Sequence, residues 1–187
     1  MIKTIVMSST YRQSSRHRDE LLEVDATNRL LARQNRFRVQ AEIVRDLCLS
    51  VSGLLSPKVG GPSVFPPLPP DVAALSYANN FRWKTSTDGD QHRRGMYTFF
   101  KRTSPHPNLI AFDCPDSNTT NVQRRTSNTP IQALTTLNNT VFLETAQAFA
   151  KRSLALEAKN DAERMRNALR LCLIRPPSDS EVSSFVN

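Results

Sequence analysis

The chain has 187 residues, a length that fits one domain with a single core, and we expect residues 1–187 to form a single domain. A hydrophobic fraction of 39%, with 12 Pro and 5 Gly, is typical of a globular protein with stiff loops and excludes a chain that is disordered throughout. No apolar run approaches the roughly 18 residues that cross a bilayer, and residues 1–7 are too polar for a secretory signal, so we predict no membrane segment and no targeting signal.

The formal net charge of +8 comes from 25 Lys and Arg residues, most of them Arg, whose planar side chains suit paired contacts with carboxylates or phosphates. Acidic residues are interleaved with the basic ones, which favours internal ion pairs over an acidic partner. Cys48, Cys114 and Cys172 lie far apart, and the three histidines lack the spacing of a ligand pair. We therefore predict no metal site and no cofactor in this chain.

In the N-terminal half, the apolar spacing predicts helices over residues 1–10 and 39–55. In the second of these, aliphatic residues repeat at helical period and are expected to face inward. Its opposite, polar side carries Gln40, Glu42, Arg45, Asp46, Ser50 and Ser52. Gly53 predicts the end of this helix. The proline-rich residues 56–70 cannot hold a helix and lack donors for a sheet, so they are predicted to form a rigid loop across the surface.

The middle of the chain has the pattern of a small sheet. Residues 96–102 carry apolar or aromatic side chains on both faces, as an interior strand does. Residues 109–112 follow a proline-containing break and are predicted to complete a hairpin, with a third short strand at residues 81–85.

The C-terminal part contains four predicted helix starts. Thr129 precedes Pro130, and we expect its hydroxyl to accept a hydrogen bond from the amide of Gln132. The helix is then interrupted or re-capped at residues 138–139, and another helix is predicted over residues 161–175. Ser178 and Glu181 have the spacing of a capping box.

These elements predict an α+β fold that is mainly α. Four to six helices are expected to pack around a small antiparallel β-hairpin or three-stranded sheet, with the proline-rich loop at residues 56–70. An uncapped helix at the start of the sequence and a helix that begins only at Ser178 suggest a fragment of a longer protein. Exposed apolar patches are expected where covering elements are missing.

Basic residues bracket the predicted hairpin, where loops beside a rigid element carry binding groups. The predicted binding residues are Arg93, Arg94, Lys101, Arg102, Asp113, Arg124 and Arg125. An anionic sugar, a carboxylate or the acidic face of a neighbouring domain would suit this cluster. The alternative is internal pairing of Arg94 and Arg125 with Asp90, Asp113 or Asp116.

A second function class uses His106, Asp113 and Cys114, which the predicted hairpin would allow to approach one another. Such a site would belong to a hydrolase or a redox enzyme, and it requires the three groups to converge in a pocket. Nucleic acid is not predicted as a partner, because the aromatic residues on both faces of one strand are explained as core.

Several sequence segments, in a fixed order, resemble one known family. They are STYRQSS at residues 9–15, GGPSV at 60–64, RRGMYTFFKRTSP at 93–105, FDCPDSNTT at 112–120 and SNTPIQALTTLN at 127–138. The family is the planctomycete-specific C-terminal domain of unknown function, which is found with a planctomycete cytochrome-c-like domain in large exported proteins.

The resemblance implies a periplasmic or extracellular location and a parent polypeptide whose companion domains are the partners. It implies haem in that parent but none in this chain, because no haem-attachment motif is present. From the residues and the resemblance together, we expect a noncatalytic binding module that docks to companion domains or to an anionic glycan. The alternative is an extracytoplasmic hydrolase or redox-associated enzyme of polysaccharide breakdown.

Overall fold

The computed structural model describes residues 1–74 and 81–186 of the chain. Two compact units make up the chain, the N-terminal unit Met1–Arg38 and the C-terminal unit Val39–Asn187. Within the described residues, no helix combines the length and the apolar character that a membrane crossing requires.

Polar contacts organise the N-terminal unit. Its elements are α1 (Ile2–Val6), a 3₁₀ turn (Asp19–Leu21) and α2 (Leu22–Asp25). The buried carboxylate of Asp25 accepts hydrogen bonds from the backbone N–H groups of Arg29 and Leu30 at 2.7 and 2.8 Å. Asn28 is also buried, and its Nδ2 donates to the carbonyl of Arg33 at 2.7 Å. The helix predicted near the N-terminus is therefore present over five residues, and its apolar side chains are exposed.

The C-terminal unit is helical. Its described residues contain α3 (Ala41–Ser52), α4 (Pro70–Ala73), α5 (Pro107–Ala111), α6 (Pro130–Asn138), α7 (Thr140–Leu154), α8 (Asp161–Leu173) and α9 (Asp179–Val186), with 3₁₀ turns at Asp90–His92 and Gly95–Tyr97. Helix α7 lies at the centre and packs against α3, α6 and α8. Helix α5 packs against α3 and α6, and α9 packs against α8.

Two groups of apolar side chains fill this unit. The first group lies between the helices and includes Leu49 of α3 and Phe142 of α7, which are 0% and 7% exposed. The second is an aromatic cluster of the connecting segments. Its rings belong to Phe65, Phe81, Trp83 and Phe99, and the centroids of Phe65 and Phe99 are 4.9 Å apart. Stacking of this kind lets segments without regular structure partly bury their aromatic residues.

Local capping signals explain where the helices begin and end. Helix α3 ends at Gly53, which has the left-handed φ of 82° that glycine tolerates without strain. Asn139 separates α6 from α7, and its side chain accepts from the backbone N–H of Val141 at 3.0 Å. Ser178 and Glu181 form the predicted capping box at α9. The helix start at Pro130 is also confirmed, but the Thr129 side chain makes no capping bond; the amide of Gln132 donates to the Thr129 carbonyl instead.

The predicted β-hairpin or three-stranded sheet is wrong, and so is the α+β class. Residues 1–74 and 81–186 contain no strand. The segment predicted as an interior strand begins with the 3₁₀ turn Gly95–Tyr97, residues 109–112 fall largely in α5, and residues 81–85 have no regular structure. Nine α-helices occur in the described part of the chain, five of them of eight residues or more, against the four to six expected.

The segment that lies beside residues 93–98 explains why no sheet forms. Two isolated parallel bridges, Ser56 with Arg93 and Val64 with Thr98, join these residues to the proline-rich loop. A ladder needs a backbone N–H at every second position, and the prolines of that loop have none. Apolar side chains on both faces therefore marked a segment that is largely half-buried, and the sequence pattern could not show that its neighbour was unable to pair. The absence of helix and strand over residues 57–63 and 65–69 agrees with the predicted loop.

Helix α3 has a different inner face from the one expected. Its buried residues include Arg45, Asp46 and Ser52, which were assigned to the polar side, whereas the aliphatic Leu47 is 49% exposed. The reason is that the loop around residues 91–95 covers part of this helix: Arg45 donates to the carbonyl of Gln91, and Asp46 accepts from the N–H of Gly95. The backbone of Gly95 lies directly against that of Glu42.

We expect Gly95→Ala to reduce the free energy of unfolding of the chain by about 3 kcal/mol, because the added Cβ overpacks the interface. An ideal Cβ at this position lies 2.6 Å from the carbonyl oxygen and 2.8 Å from the Cα of Glu42. Urea denaturation followed by circular dichroism measures the change. Gly60→Ala is the control: Gly60 has a φ of 77° and nothing within 4 Å of the added Cβ. It should cost only the backbone strain, about 1 kcal/mol. Equal losses in the two variants would contradict the close approach.

Candidate functional site

Two arginines lie beside the first turns of α3. Glu42 and Asp46 are four positions apart and project from the same side of this helix. Nη1 of Arg124 donates to both carboxylate oxygens of Glu42 at 2.8 and 3.0 Å. Nε of Arg94 donates to Oδ2 of Asp46 at 2.9 Å. One side of α3 therefore holds two guanidinium groups at a spacing set by the helix, and we call Arg94 and Arg124 the arginine pair.

The two carboxylates are better buried than the arginines that they hold. The side chains of Asp46 and Glu42 are 11% and 19% exposed, against 47% for Arg94 and 37% for Arg124. The hydrogen bond to Glu42 raises the pKa of Arg124 above its usual range. Each arginine is thus a permanent cation with one edge fixed inward and the rest facing solvent.

Arg93 does not join this surface. It is fully buried, and its guanidinium donates to the carbonyls of Lys58, Gly60 and Pro62 in the proline-rich loop. The same group lies 3.8 Å from the ring centroid of Tyr97. These contacts make Arg93 a structural residue that ties the loop to the body of the unit.

The other predicted cations have different environments. Nζ of Lys101 is buried and lies 4.7 Å from the ring centroid of Phe81. Arg102 and Arg125 are exposed and make no hydrogen bond or ion pair with another described residue. Arg125 follows Arg124 directly in the chain, so it is a neighbour of the arginine pair. Nothing in the described contacts brings Arg102 to the same place.

Asp113 fixes the loop that carries Arg124. It has a left-handed φ of 64°, and its carboxylate accepts from the backbone N–H and the hydroxyl of Ser127 at 2.7 and 2.8 Å. Nε2 of the buried Gln132 on α6 also donates to it, at 3.3 Å. Asp113 therefore anchors residues 113–127 to α6 and helps to position Arg124 of the arginine pair.

The internal partners of the predicted acids differ from those expected. Arg94 pairs with Asp46, whereas Asp90 receives Lys58 at 3.1 Å and Asp116 accepts from the backbone of Asn118 at 3.0 Å. Sequence reasoning missed Glu42 and Asp46, because both were assigned to the solvent side of α3. Their four-residue spacing was the available signal, since it places two acids on one face where a pair of bases can bind.

The three groups of the enzymatic alternative face different partners. Nδ1 of His106 accepts from the backbone of Asn108 at 3.3 Å, and its ring lies 5.8 Å from that of Trp83. Asp113 is engaged by Ser127 and Gln132, as described above. Sγ of Cys114 points toward Glu42 Oε1 at 3.9 Å. These separate arrangements do not make the converging pocket that a shared transition state requires.

The pKa shifts of Cys114 and His106 also do not favour a catalytic site built from these groups. Burial raises the pKa of the Cys114 thiol, and the negative charge of Glu42 raises it further, so the reactive thiolate is disfavoured. Burial lowers the pKa of His106 to about 4; the charge of Arg45 acts in the same direction and the carbonyl of Pro67 opposes it. In the residues that the structure describes, no group of three or more His, Cys, Asp or Glu side chains could hold a metal ion.

The fold and the site define a helical domain whose polar face on α3 holds a solvent-facing arginine pair. The chain belongs to PSD1, a protein family of unknown function (DUF1553), whose family model matches residues 1–187. Neither a curated protein nor a solved structure matches the chain.

We expect Arg93→Met to lower the free energy of unfolding by about 3 kcal/mol, because it removes the buried guanidinium that holds three carbonyl groups of the loop. Urea denaturation measures this loss, and trypsin cleavage after Lys58 should become faster as the loop loosens. Arg125→Met is the matched control, because Arg125 is exposed and unpaired among the described residues. It should change stability by less than about 0.5 kcal/mol. If both variants were equally stable, the structural role of Arg93 would be refuted.

Because His106 is buried, we expect the folded chain to lose stability in mild acid. The unfolded side chain binds a proton below pH 6.5, whereas the folded one does so only near pH 4. The free energy of unfolding should therefore have its full value above pH 6.5. It should fall by about 3 kcal/mol as the pH decreases to 4. Urea denaturation across this range measures the decrease. His106→Gln should remove this component of the pH slope, whereas His17→Gln, at a half-exposed position, should retain it. An unchanged slope in His106→Gln would contradict the prediction.

Proposed function

We propose that the C-terminal unit is a noncatalytic binding module that docks onto an anionic partner through the arginine pair. The observation that supports this best is the geometry on α3. Glu42 and Asp46 hold Arg124 and Arg94 on one side of a single helix, and a third to a half of each arginine side chain remains exposed. Nothing in the described part of the chain favours the hydrolase or redox alternative.

The arginine pair has donors left for a partner. A guanidinium carries five N–H groups, and the internal ion pairs engage Nε of Arg94 and Nη1 of Arg124. The remaining nitrogens of both groups form no hydrogen bond with another described residue. Because the side chains are already held, less rotamer freedom is lost when a carboxylate or sulfate binds. A ligand with two neighbouring acidic groups would match two arginines that are held by carboxylates on adjacent turns of α3.

The same carboxylates argue against nucleic acid as the partner. Glu42 and Asp46 offset much of the charge of the arginine pair, so this surface lacks the continuous positive field that tracks a phosphate backbone. Isolated acidic groups on a folded surface or along an acidic polysaccharide suit it better. Companion domains of the same parent polypeptide and an acidic glycan are both within this proposal, together with an extracytoplasmic setting that the resemblance implies.

Binding to two defined polymers tests the proposal and separates its two partner classes. Polygalacturonate represents an acidic glycan, and polyglutamate represents an acidic protein surface. We expect the full chain to bind at least one of them, and the double variant Arg94→Gln, Arg124→Gln to bind it about tenfold more weakly or worse, because charge-assisted hydrogen bonds are lost. Isothermal titration calorimetry at low and high salt measures both the affinity and its screening.

The control for nonspecific charge is the double variant Lys151→Gln, Arg170→Gln. These residues are exposed on α7 and α8, and their replacement removes the same net charge. The control should bind almost as well as the unchanged chain. Equal weakening in the two double variants would mean that only the net charge of +8 attracts the polymer, and it would refute the role of the arginine pair, as would the absence of binding to either polymer.

A further inference from the structure

A second surface of the C-terminal unit has the opposite chemistry. A groove of about 490 Å³ runs between α6, the start of α5 and the end of the proline-rich loop. Every residue that lines it is uncharged, including Pro69, Pro107, Ile131, Leu134, Asn138 and Asn139. Its volume falls within the range of about 300 to 1,000 Å³ that is typical of ligand-binding clefts.

Helix α6 turns its aliphatic side toward solvent. Ile131, Leu134 and Leu137 follow one another at three-residue spacing and are 66%, 58% and 69% exposed. The buried residue of this helix is the polar Gln132, which Asp113 and Ser127 hold by hydrogen bonds. The inward position on α6 is thus taken by a polar residue, and the aliphatic stripe faces solvent. Contiguous exposed apolar side chains of this kind are typical of an interaction surface.

Two neighbouring amides at the edge of the groove are fixed in orientation. Oδ1 of Asn139 accepts from the backbone of Val141 and from Nδ2 of Asn108, at 3.0 and 3.1 Å. Nδ2 of Asn138 donates to the carbonyl of Leu134 at 2.9 Å. These bonds decide which atom of each amide is the oxygen. Nδ2 of Asn139 and Oδ1 of Asn138 form no hydrogen bond with another described residue, so one donor and one acceptor on adjacent residues remain available.

We propose that this groove binds a short, extended and uncharged segment of a partner protein. An extended backbone presents an N–H and a C=O group, which match the acceptor of Asn138 and the donor of Asn139. An aliphatic side chain of the segment packs against Ile131 and Leu134, and the two prolines form the opposite wall.

The absence of charge in the groove and its small size favour a short uncharged segment as the occupant. Residues 126–143 contain no charged side chain, although the chain as a whole has a net charge of +8. A charged segment would lose hydration here without gaining a partner. Nine residues line the groove, whereas a stable contact with a second folded copy takes about 20 to 30 residues from each partner. A short segment therefore fits, and this site lies apart from the arginine pair on which the proposed function rests.

Selection from a phage library of random heptapeptides tests the proposal with the full chain. We expect the enriched peptides to lack Asp, Glu, Lys and Arg and to carry aliphatic residues. Synthetic copies, labelled with fluorescein and measured by fluorescence polarisation, should bind about tenfold more weakly to Leu134→Asp. Methylation of a single backbone nitrogen should weaken binding about as strongly when it removes the N–H that Asn138 accepts.

Leu137→Asp is the matched control. Leu137 lies on the same helix and is similarly exposed, but it does not line the groove. Both positions are at the surface, so both variants should keep the circular dichroism spectrum of the unchanged chain, and Leu137→Asp should bind the peptides with less than about twofold change. The double variant Arg94→Gln, Arg124→Gln should also bind the peptides normally. The groove and the arginine pair are thus tested independently.

Three outcomes would overturn the proposal. The first is that Leu134→Asp and Leu137→Asp weaken peptide binding equally, which would indicate nonspecific apolar binding along the helix rather than binding in the groove. The second is the enrichment of acidic peptides that depend on the arginine pair, or of none at all. The third is displacement of the peptide by dodecanoate with tighter binding of the fatty acid, which would assign the groove to an acyl chain.

Discussion

The contact between Asp46 and the backbone of Gly95 is the constraint on which the C-terminal unit depends. The carboxylate accepts from the Gly95 N–H at 2.6 Å and from Arg94 Nε at 2.9 Å. The absence of a side chain at Gly95 lets this loop lie against the first turn of α3. Once the loop is held there, Arg94 is placed at the surface and Arg93 is directed into the proline-rich loop. The candidate site and the scaffold therefore share one anchor.

Several polar side chains are buried in the C-terminal unit, and where they face inward, apolar side chains can face solvent. Arg93, Arg45, His106 and Gln132 are all buried, at 0 to 7% exposure. A helix that is fixed through a buried polar group presents its aliphatic residues outward, as α6 does. The exposed aliphatic residues of α6 follow from this arrangement, and they support the proposal that another molecule covers this surface.

The two surfaces differ in what they can recognise. The arginine pair would bind acidic groups through charge-assisted hydrogen bonds, and this contribution would decrease with salt. The groove beside α6 offers apolar contact and two oriented amides, which act only at short range and are insensitive to salt. Asp113 connects the two, because its carboxylate holds both Ser127 at the end of the Arg124 loop and Gln132 of α6. A change at Asp113 would therefore affect both surfaces together.

The sequence alone determined where several helices begin and end. Gly53, Pro130, Asn139 and Ser178 act on backbone groups within about one turn, so their effect can be deduced from neighbouring residues. Only the tertiary structure decided the rest. Arg93 and Arg125 look alike in the sequence, yet one is buried under a loop and the other is exposed. Arg124 finds its partner 82 positions away, and the expected strand failed because its neighbour in space is rich in proline. Such outcomes depend on which distant backbone comes close, and no local pattern contains that information.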